Sequence, residues 1–288
     1  MKKISEIWHY RYYVGSRILE SLGVLMLLYE LLIIVAPIED FIPGHKVCLF
    51  TGIVLLCLFY SIYGLLFPQK ELSLNINKRT RLVIRQGDLM TSDGLLVIPV
   101  NEYFDTHLGD GIINKNSLHG KLLTRYDGKI PDLRKKIDKE LATLTPLPVN
   151  RRRVMVAGLP NRRYPLGTCV RIVDGNSCFL LVATTRFNEN EHVDVSTEEF
   201  PEIIRKMFNG IEQLYDGRPV YLPLVGSGIS GYELTNMQIM YIIVQAADMA
   251  NRLSLTNGLH LYVFSDEQMK SINLNVIKYL YHRWKTLK

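Results

Sequence analysis

The stretch Val220–Tyr232, VYLPLVGSGISGY, decides how the rest of the chain is read. Val220–Val225 is a short, mostly apolar run, as expected of a strand buried in a parallel sheet. Gly226, Gly228 and Gly231 follow, with Ser227, Ile229 and Ser230 between them, and a long helical pattern begins after Tyr232. Strand, glycine-rich turn and helix N-terminus together make an anion site. Glycines let the backbone come close, and free N–H groups at the positive end of the helix dipole point at phosphate. The spacing fits G-x-G-x-x-G, a weak signal by itself. A dinucleotide-binding fold wants an acidic residue about twenty positions on, at the end of the next strand. Asp248 falls inside the helical pattern, and Asp266 comes much later. No G-K-[ST] follows, so the turn is not a P-loop. The plainer reading, a tight turn that packs helix on sheet, stays open at this point.

Working outward, LSLNINKRTRLVIR within Glu71–Arg85 alternates apolar and polar residues and predicts strands at a sheet edge. Gly94–Val100 predicts a buried strand ending at Asn101, followed by a loop to Ile112 that holds Gly109 and Gly111. Helices are expected over Ser117–Tyr126 and Pro131–Leu144, and a strand over Val154–Gly158. The arginines at 151–153 and 162–163 that flank this last strand read as phosphate contacts or as a solvated face. Thr168–Val173 and Ser177–Thr184 form a hairpin across Asp174-Gly175-Asn176. An amphipathic helix is expected over Thr197–Tyr215, another from about Asn236 to Arg252, a strand over His260–Phe264 and a closing helix over Glu267–Lys288. Strands alternating with helices predict an α/β domain with a central, mostly parallel sheet. Ligands bind such sheets beyond the carboxyl ends of the strands. The loops at Gly87-Asp88, Asn101–Ile112, Gly226–Gly231 and Phe264-Ser265-Asp266 are expected to converge there.

The first quarter differs in character. The chain has 288 residues, 48% of them hydrophobic, and the apolar ones concentrate there. Val47–Phe67 carries no charge and matches a hydrocarbon core of ~30 Å as a helix. Ile18–Ala36 is similar but includes Glu20 and Glu30. Glu20 has Arg17 beside it. Glu30 either faces another helix, a water-filled path or a neighbouring subunit, or reaches a headgroup by tilt. Lysines and arginines before the first span and after the second put both chain ends on the cytoplasmic side. The expectation is a multi-pass protein of a bacterial inner membrane, with spans at about 18–36 and 47–67 inside residues 1–70. Residues 71–288 would form a cytosolic domain in contact with a lipid surface. The net charge of +6 is then partly topology. Four cysteines form no C-x-x-C, and seven histidines form no metal-binding spacing, so neither a metal site nor a cofactor is expected.

In its C-terminal part the chain resembles a macro domain, the ADP-ribose-binding α/β fold. QGDLMTSDGLLVIPVN (86–101) is similar to the family's G-D-I-T followed by a strand ending in N-A-A-N, and PLVGSGISGY (223–232) to its second, diphosphate-wrapping loop. His107–Ile112 resembles the first glycine-rich phosphate loop in shortened form. The resemblance implies a three-layer α/β sandwich with a mixed central sheet, preceded here by the two-helix transmembrane hairpin. It implies that Asp88 accepts from the adenine amino group, that Leu89 flanks the ring, and that Asn101 faces the distal ribose. Gly109, Gly111 and Ile112, with Gly226, Ser227, Gly228, Ile229, Ser230 and Gly231, would hold the phosphates, and Phe264 would stack near the adenosine. Ile98-Pro99-Val100 replaces the family's first asparagine and two small residues, and the triple glycine of the first loop is broken.

Together with an apolar N-terminal hairpin and the stretch NEYFDTH (101–107), the chain resembles membrane-anchored macro-domain effectors of bacterial Thoeris anti-phage systems. That resemblance implies a sensor of an ADP-ribose-derived signal, a histidine–ADP-ribose conjugate made by a TIR-domain NAD-cleaving enzyme. It further implies self-association of the bound protein and damage to the membrane. Tyr103, Phe104 and Asp105 would then extend the pocket beyond the distal ribose, or serve as a lid or packing plug. No catalytic residue is assigned. The alternative is a membrane-tethered ADP-ribosyl hydrolase using Asn101 and Asp110, or a generic ADP-ribose reader. Nucleic acid is not an expected partner, because no aromatic platform interleaves the arginine runs.

Overall fold

The computed structural model describes residues 10–35, 46–108, 113–148, 160–188, 193–228, 232–250 and 252–287, with residues 32–35, 46, 47 and 49 by their helical backbone alone. In chain order the elements begin α1 (Arg11–Val35), α2 (Lys46–Leu66), β1 (Glu71–Asn75), β2 (Arg81–Gln86), β3 (Leu95–Asn101), α3 (Leu118–Arg125) and α4 (Ile130–Leu141). They continue β4 (Cys169–Asp174), β5 (Ser177–Thr185), α5 (Phe200–Leu214), β6 (Val220–Pro223), α6 (Asn236–Met249), β7 (Leu259–Val263), α7 (Asp266–Lys270) and α8 (Leu274–Thr286). The chain divides into two compact units: Met1–Gln69 with Asn273–Lys288, and Lys70–Ile272.

The first unit joins α1, α2 and α8. Tyr13 of α1 meets Tyr279 of α8 edge-on at 5.0 Å, and the Ser16 hydroxyl bonds the Tyr279 hydroxyl. Asn275 Nδ2 donates to the Gly64 carbonyl at 2.7 Å, filling one of the carbonyls left open at the end of α2. The expected transmembrane hairpin is corrected here. Helices form over both apolar runs, but among the described residues no helix is long and apolar enough to cross a membrane. α1 carries Arg17, Glu20 and Glu30; Arg17 pairs with Glu20 at 3.4 Å and donates to the Tyr60 hydroxyl of α2 at 2.7 Å. The Arg17–Glu20 pair interrupts the apolar surface near the start of α1. The expectation of multi-pass inner-membrane placement goes with the spans.

The expected closing helix also divides in two. Asn273 accepts from the N–H groups of Asn275 at 3.1 Å and Val276 at 3.3 Å, so it caps a new helix, α8. Such a cap satisfies otherwise orphaned N-terminal donors. Leu274, Val276, Ile277 and Tyr281 of α8 are buried.

The second unit is built on a seven-stranded mixed sheet in the order β1-β2-β7-β6-β3-β5-β4. The five inner strands are mutually parallel, and the edge strands β1 and β4 run antiparallel to their neighbours. The sequence explains this division. β3 and β5 are nearly continuous apolar runs buried on both faces, whereas β1 and β2 alternate buried and exposed residues. Gly175 takes φ +56° in the turn that joins β4 to β5, a conformation glycine adopts without strain. One face of the sheet carries the buried side of α5, including Ile204, Met207, Phe208 and Ile211, together with that of α6. The other packs Leu96, Ile98, Val100, Phe179 and Leu181 against Leu122 and Leu123 of α3 and Leu133 and Ile137 of α4. The result is a helix–sheet–helix sandwich. The strand expected over 154–158 lies outside the described residues.

One detail of the sheet positions the site. β3 pairs with β6 only at Leu95–Val220 and Leu96–Tyr221. Beyond that point β3 follows β5 as far as Asn101 and Thr185, while Leu224 N–H after β6 turns to the Tyr262 carbonyl of β7 at 3.2 Å. The carboxyl ends of β3 and β6 therefore part, as strands do at a crevice that takes a ligand.

Candidate functional site

The turn after β6 begins with Gly226 at φ +89°. A Cβ on Gly226 would lie 2.8 Å from the Phe200 ring and 3.4 Å from the Tyr232 ring, so the position needs glycine for both backbone and space. Those rings pack at 4.8 Å, and the Tyr232 hydroxyl donates to the Thr184 carbonyl at 2.6 Å. Burial raises the Tyr232 hydroxyl's pKa, which keeps it a donor. Ser227 turns back on the strand: its hydroxyl donates to the Leu224 carbonyl at 2.7 Å and accepts from Gln268 Nε2 of α7 at 3.0 Å. Gly228 differs. A Cβ there would meet nothing within 4 Å, so its missing side chain leaves open space rather than relieving a clash. Ile229, Ser230 and Gly231 lie outside the described residues, as do Gly109, Gly111 and Ile112 of the earlier loop and Asp110.

At the end of β2, Gly87 lets the chain pass the Tyr262 ring, which a Cβ would approach to 2.9 Å. Asp88 then caps a short 3-10 turn, Leu89–Thr91, by accepting from Met90 N–H at 2.9 Å. Its other carboxylate oxygen lies 3.7 Å from Lys121 Nζ of α3. Leu89 is buried in the core. Phe264, at the end of β7, keeps 56% of its surface exposed, and the same Lys121 ammonium stands 4.0 Å from its ring centroid. Asp88, Lys121 and Phe264 thus form one cluster.

At the end of β3 the loop is packed inward, as in the packing-plug alternative rather than the pocket extension. The Asn101 side chain is buried and bent back on its own loop. Its Oδ1 accepts from Tyr103 N–H at 3.1 Å and Asp105 N–H at 3.3 Å, and its Nδ2 donates to the Asp105 carboxylate at 2.8 Å. Tyr103, Phe104 and Asp105 are 0%, 1% and 0% exposed, so in this structure they fill the interior. Phe104 sits at φ +52°, outside the comfortable range of a non-glycine residue. Its ring meets Tyr164 edge-on at 5.9 Å, and its carbonyl accepts from Arg134 Nη1 of α4 at 3.0 Å. His119 of α3 bonds through Nε2 to the Asp105 carbonyl at 2.8 Å, which calls for the tautomer protonated there. Burial holds the His119 pKa at about 4, against the opposing pull of Asp105. Glu102 is buried too, accepting from Phe187 N–H at 3.2 Å with Arg163 at 4.0 Å.

The structure therefore brings Asp88, Asn101, Gly226, Ser227, Gly228 and Phe264 to the carboxyl ends of the parallel strands. It brings Lys121, His119, Arg134 and Gln268 to the same edge. Sequence reasoning missed these four because nothing in their local pattern marks them; each arrives from a helix through space. The arrangement suits an anion and an aromatic base. The glycine turn offers open backbone, Phe264 an exposed ring face and Asp88 an acceptor, while the carboxylate nearest Asn101 is already engaged. Among the described residues no group of three or more His, Cys, Asp or Glu would hold a metal ion.

Known proteins share this architecture. The macrodomain of Oceanobacillus iheyensis with MES bound superposes with a TM-score of 0.52 at 14% identity, over 75% of this chain and 100% of the other. A mutant of that macrodomain with ADPR gives 0.50 at 13% identity, over 74% and 99%. At such identities the likeness speaks for the fold alone. The Thoeris protein ThsA of Bacillus amyloliquefaciens (strain Y2) is 29% identical over 185 residues, 62% of this chain and 59% of the relative, so the match spans less than two thirds of that protein. A family model described as "Thoeris protein ThsA, Macro domain" matches residues 82–263, from the second residue of β2 to the last of β7 and across the edge just described. The chain belongs to the Thoeris ThsA macro-domain family.

Proposed function

We propose that this protein is an effector of anti-phage defence whose macro domain binds a nucleotide-derived signal of the ADP-ribose type. The observation that carries the reading is the family match across residues 82–263, which takes in Asp88, Asn101 and the Gly226 turn. The O. iheyensis mutant with ADPR, on the same fold, supports that ligand class. On this reading Phe264 and Asp88 take the base, and the backbone at Gly226–Gly228 takes the diphosphate from the end of β6. A histidine–ADP-ribose conjugate made by a TIR-domain enzyme is the proposed signal, and its binding favours self-association. It does so only through tighter binding to the assembled state than to the single chain. The role is binding rather than turnover, a reading supported by the bond that already engages the Asn101 amide with the Asp105 carboxylate.

Calorimetric titration of the purified chain with ADP-ribose and with histidine–ADP-ribose tests this, with sedimentation velocity run on the same samples. The expected result is tighter binding of the conjugate, accompanied by a faster-sedimenting species. Repeated release of free ADP-ribose from the conjugate would overturn the sensor reading in favour of a hydrolase.

A further inference from the structure

We propose that Lys121 is a built-in occupant of the base end of this pocket, which an incoming base must displace. The inference deepens the binding function above and rests on it. The Lys121 ammonium lies 4.0 Å from the Phe264 ring centroid and 3.7 Å from Asp88 Oδ2. It therefore takes the two contacts that a base with an exocyclic amino group would make, stacking on a ring and donating to a carboxylate. A cation within about 6 Å of an aromatic centroid is attracted by the ring's negative face. Stacked rings sit at about the 3.5–4.0 Å carbon contact distance, so ammonium and base cannot share that face. A base that bonds Asp88 and stacks on this face of Phe264 takes the place Lys121 now holds.

The lysine's root is fixed while its head is held weakly. Lys121 N–H bonds the Ser117 carbonyl at 2.8 Å in the capped first turn of α3. A Cβ on the preceding Gly120 would lie 2.2 Å from the Asn114 carbonyl, so this turn sits hard against its neighbour. The head is different: side-chain exposures of 31% for Lys121 and 37% for Asp88 leave the ion pair in solvent, where such pairs are weak. A fixed stem with a loosely held head makes a threshold. Ligands that bring a base regain the contacts they break, and ligands without one leave Lys121 in place.

The test is calorimetry on the full chain and its K121M variant, with ADP-ribose, AMP and ribose 5-phosphate as probes. K121M is expected to bind ADP-ribose and AMP about three- to tenfold more tightly and ribose 5-phosphate unchanged. Equal or weaker binding of ADP-ribose by K121M, with the wild type binding normally, overturns the displacement role alone. No binding of any probe by either protein overturns the proposed function and this inference together. A second readout needs no ligand affinity. In reductively 13C-methylated protein, the Lys121 methyl resonance, assigned by its loss in K121R, is expected upfield of the other lysines because of the Phe264 ring. It should move back toward them in F264L and on addition of ADP-ribose. A resonance that sits with the other lysines in the free protein removes the basis of the proposal.

Discussion

Gly226→Ala set against Gly228→Ala separates a glycine the fold needs from one the ligand needs. At Gly226 the backbone is left-handed at φ +89°, and an alanine there costs about 1–2 kcal/mol in backbone strain. The new methyl would also sit 2.8 Å from the ring of Phe200, which is fully buried and packed against Tyr232. Tyr232 is in turn tied to the Thr184 carbonyl, so neither ring has room to yield. Overfilling a packed site adds about 1–3 kcal/mol. The two effects together come to about 3 kcal/mol, or a fall of about 6–12 °C in melting temperature for a unit of this size. Gly228 has neither feature, and its alanine variant should unfold within about 0.5 kcal/mol of the parent, as surface changes do. Urea and thermal unfolding followed by circular dichroism measure both. If Gly226→Ala were as stable as the parent, the turn would not be held by Phe200 and Tyr232 as described.

Gly228→Glu should leave stability within the same narrow range yet weaken ADP-ribose binding at least tenfold, because its carboxylate would enter the space assigned to phosphate; unchanged calorimetric affinity would move the diphosphate elsewhere. Acid should destabilise the protein through His119. Its folded pKa of about 4 lies below its ordinary value of 6.5, so the unfolded chain takes the proton first, and stability falls as pH drops from about 6.5 toward 4. The shift corresponds to about 3 kcal/mol at the acid end. His260, lowered by burial and by Arg85, acts in the same direction. H119Q, which keeps a donor toward Asp105, should flatten the pH dependence of urea midpoints, and an unaltered slope would refute the assignment. Thr235 caps α6 by accepting from Gln238 N–H, so Thr235→Ala should cost about 1 kcal/mol in the same unfolding assay.

The parts legible in the sequence were those with a local signature. β3 and β6 declared themselves as apolar runs, β4 and β5 by the turn between them, β1 and β2 by alternation, and the turn after β6 by its glycines. Asp88 and Phe264 lie at strand ends that such patterns locate, and the sheet brought them to one edge. Local signals failed where a side chain turned back on its own loop. Asn-Glu-Tyr-Phe-Asp at 101–105 reads equally as a polar-aromatic pocket wall, a lid or a packing plug. Only the geometry shows the Asn101 amide closing on Asp105 and drawing Tyr103 and Phe104 inward. The break at Asn273 went unseen because apolar residues continue on both sides of it, although an asparagine cap was there to be read. The membrane expectation came from the length and apolarity of two segments and the charges flanking them, which say nothing of how Arg17 will meet Tyr60. Lys121 had no signature at all, since its meaning depends on two strands that precede and follow it by long stretches of chain.

The membership of α8 in the first unit alters what counts as a separable piece of this protein. The sheet unit is an insertion between two parts of a helical one, attached through both its ends, at Gln69–Lys70 and at Ile272–Asn273. A fragment cut just before β1 and carried to the last residue would strand α8, whose Asn275 and Tyr279 meet α2 and α1. The natural excision runs from Lys70 to Ile272, and a graft of the ligand-binding half onto another protein needs two seams rather than one. The second seam follows directly on α7, whose Gln268 already holds the glycine turn through Ser227.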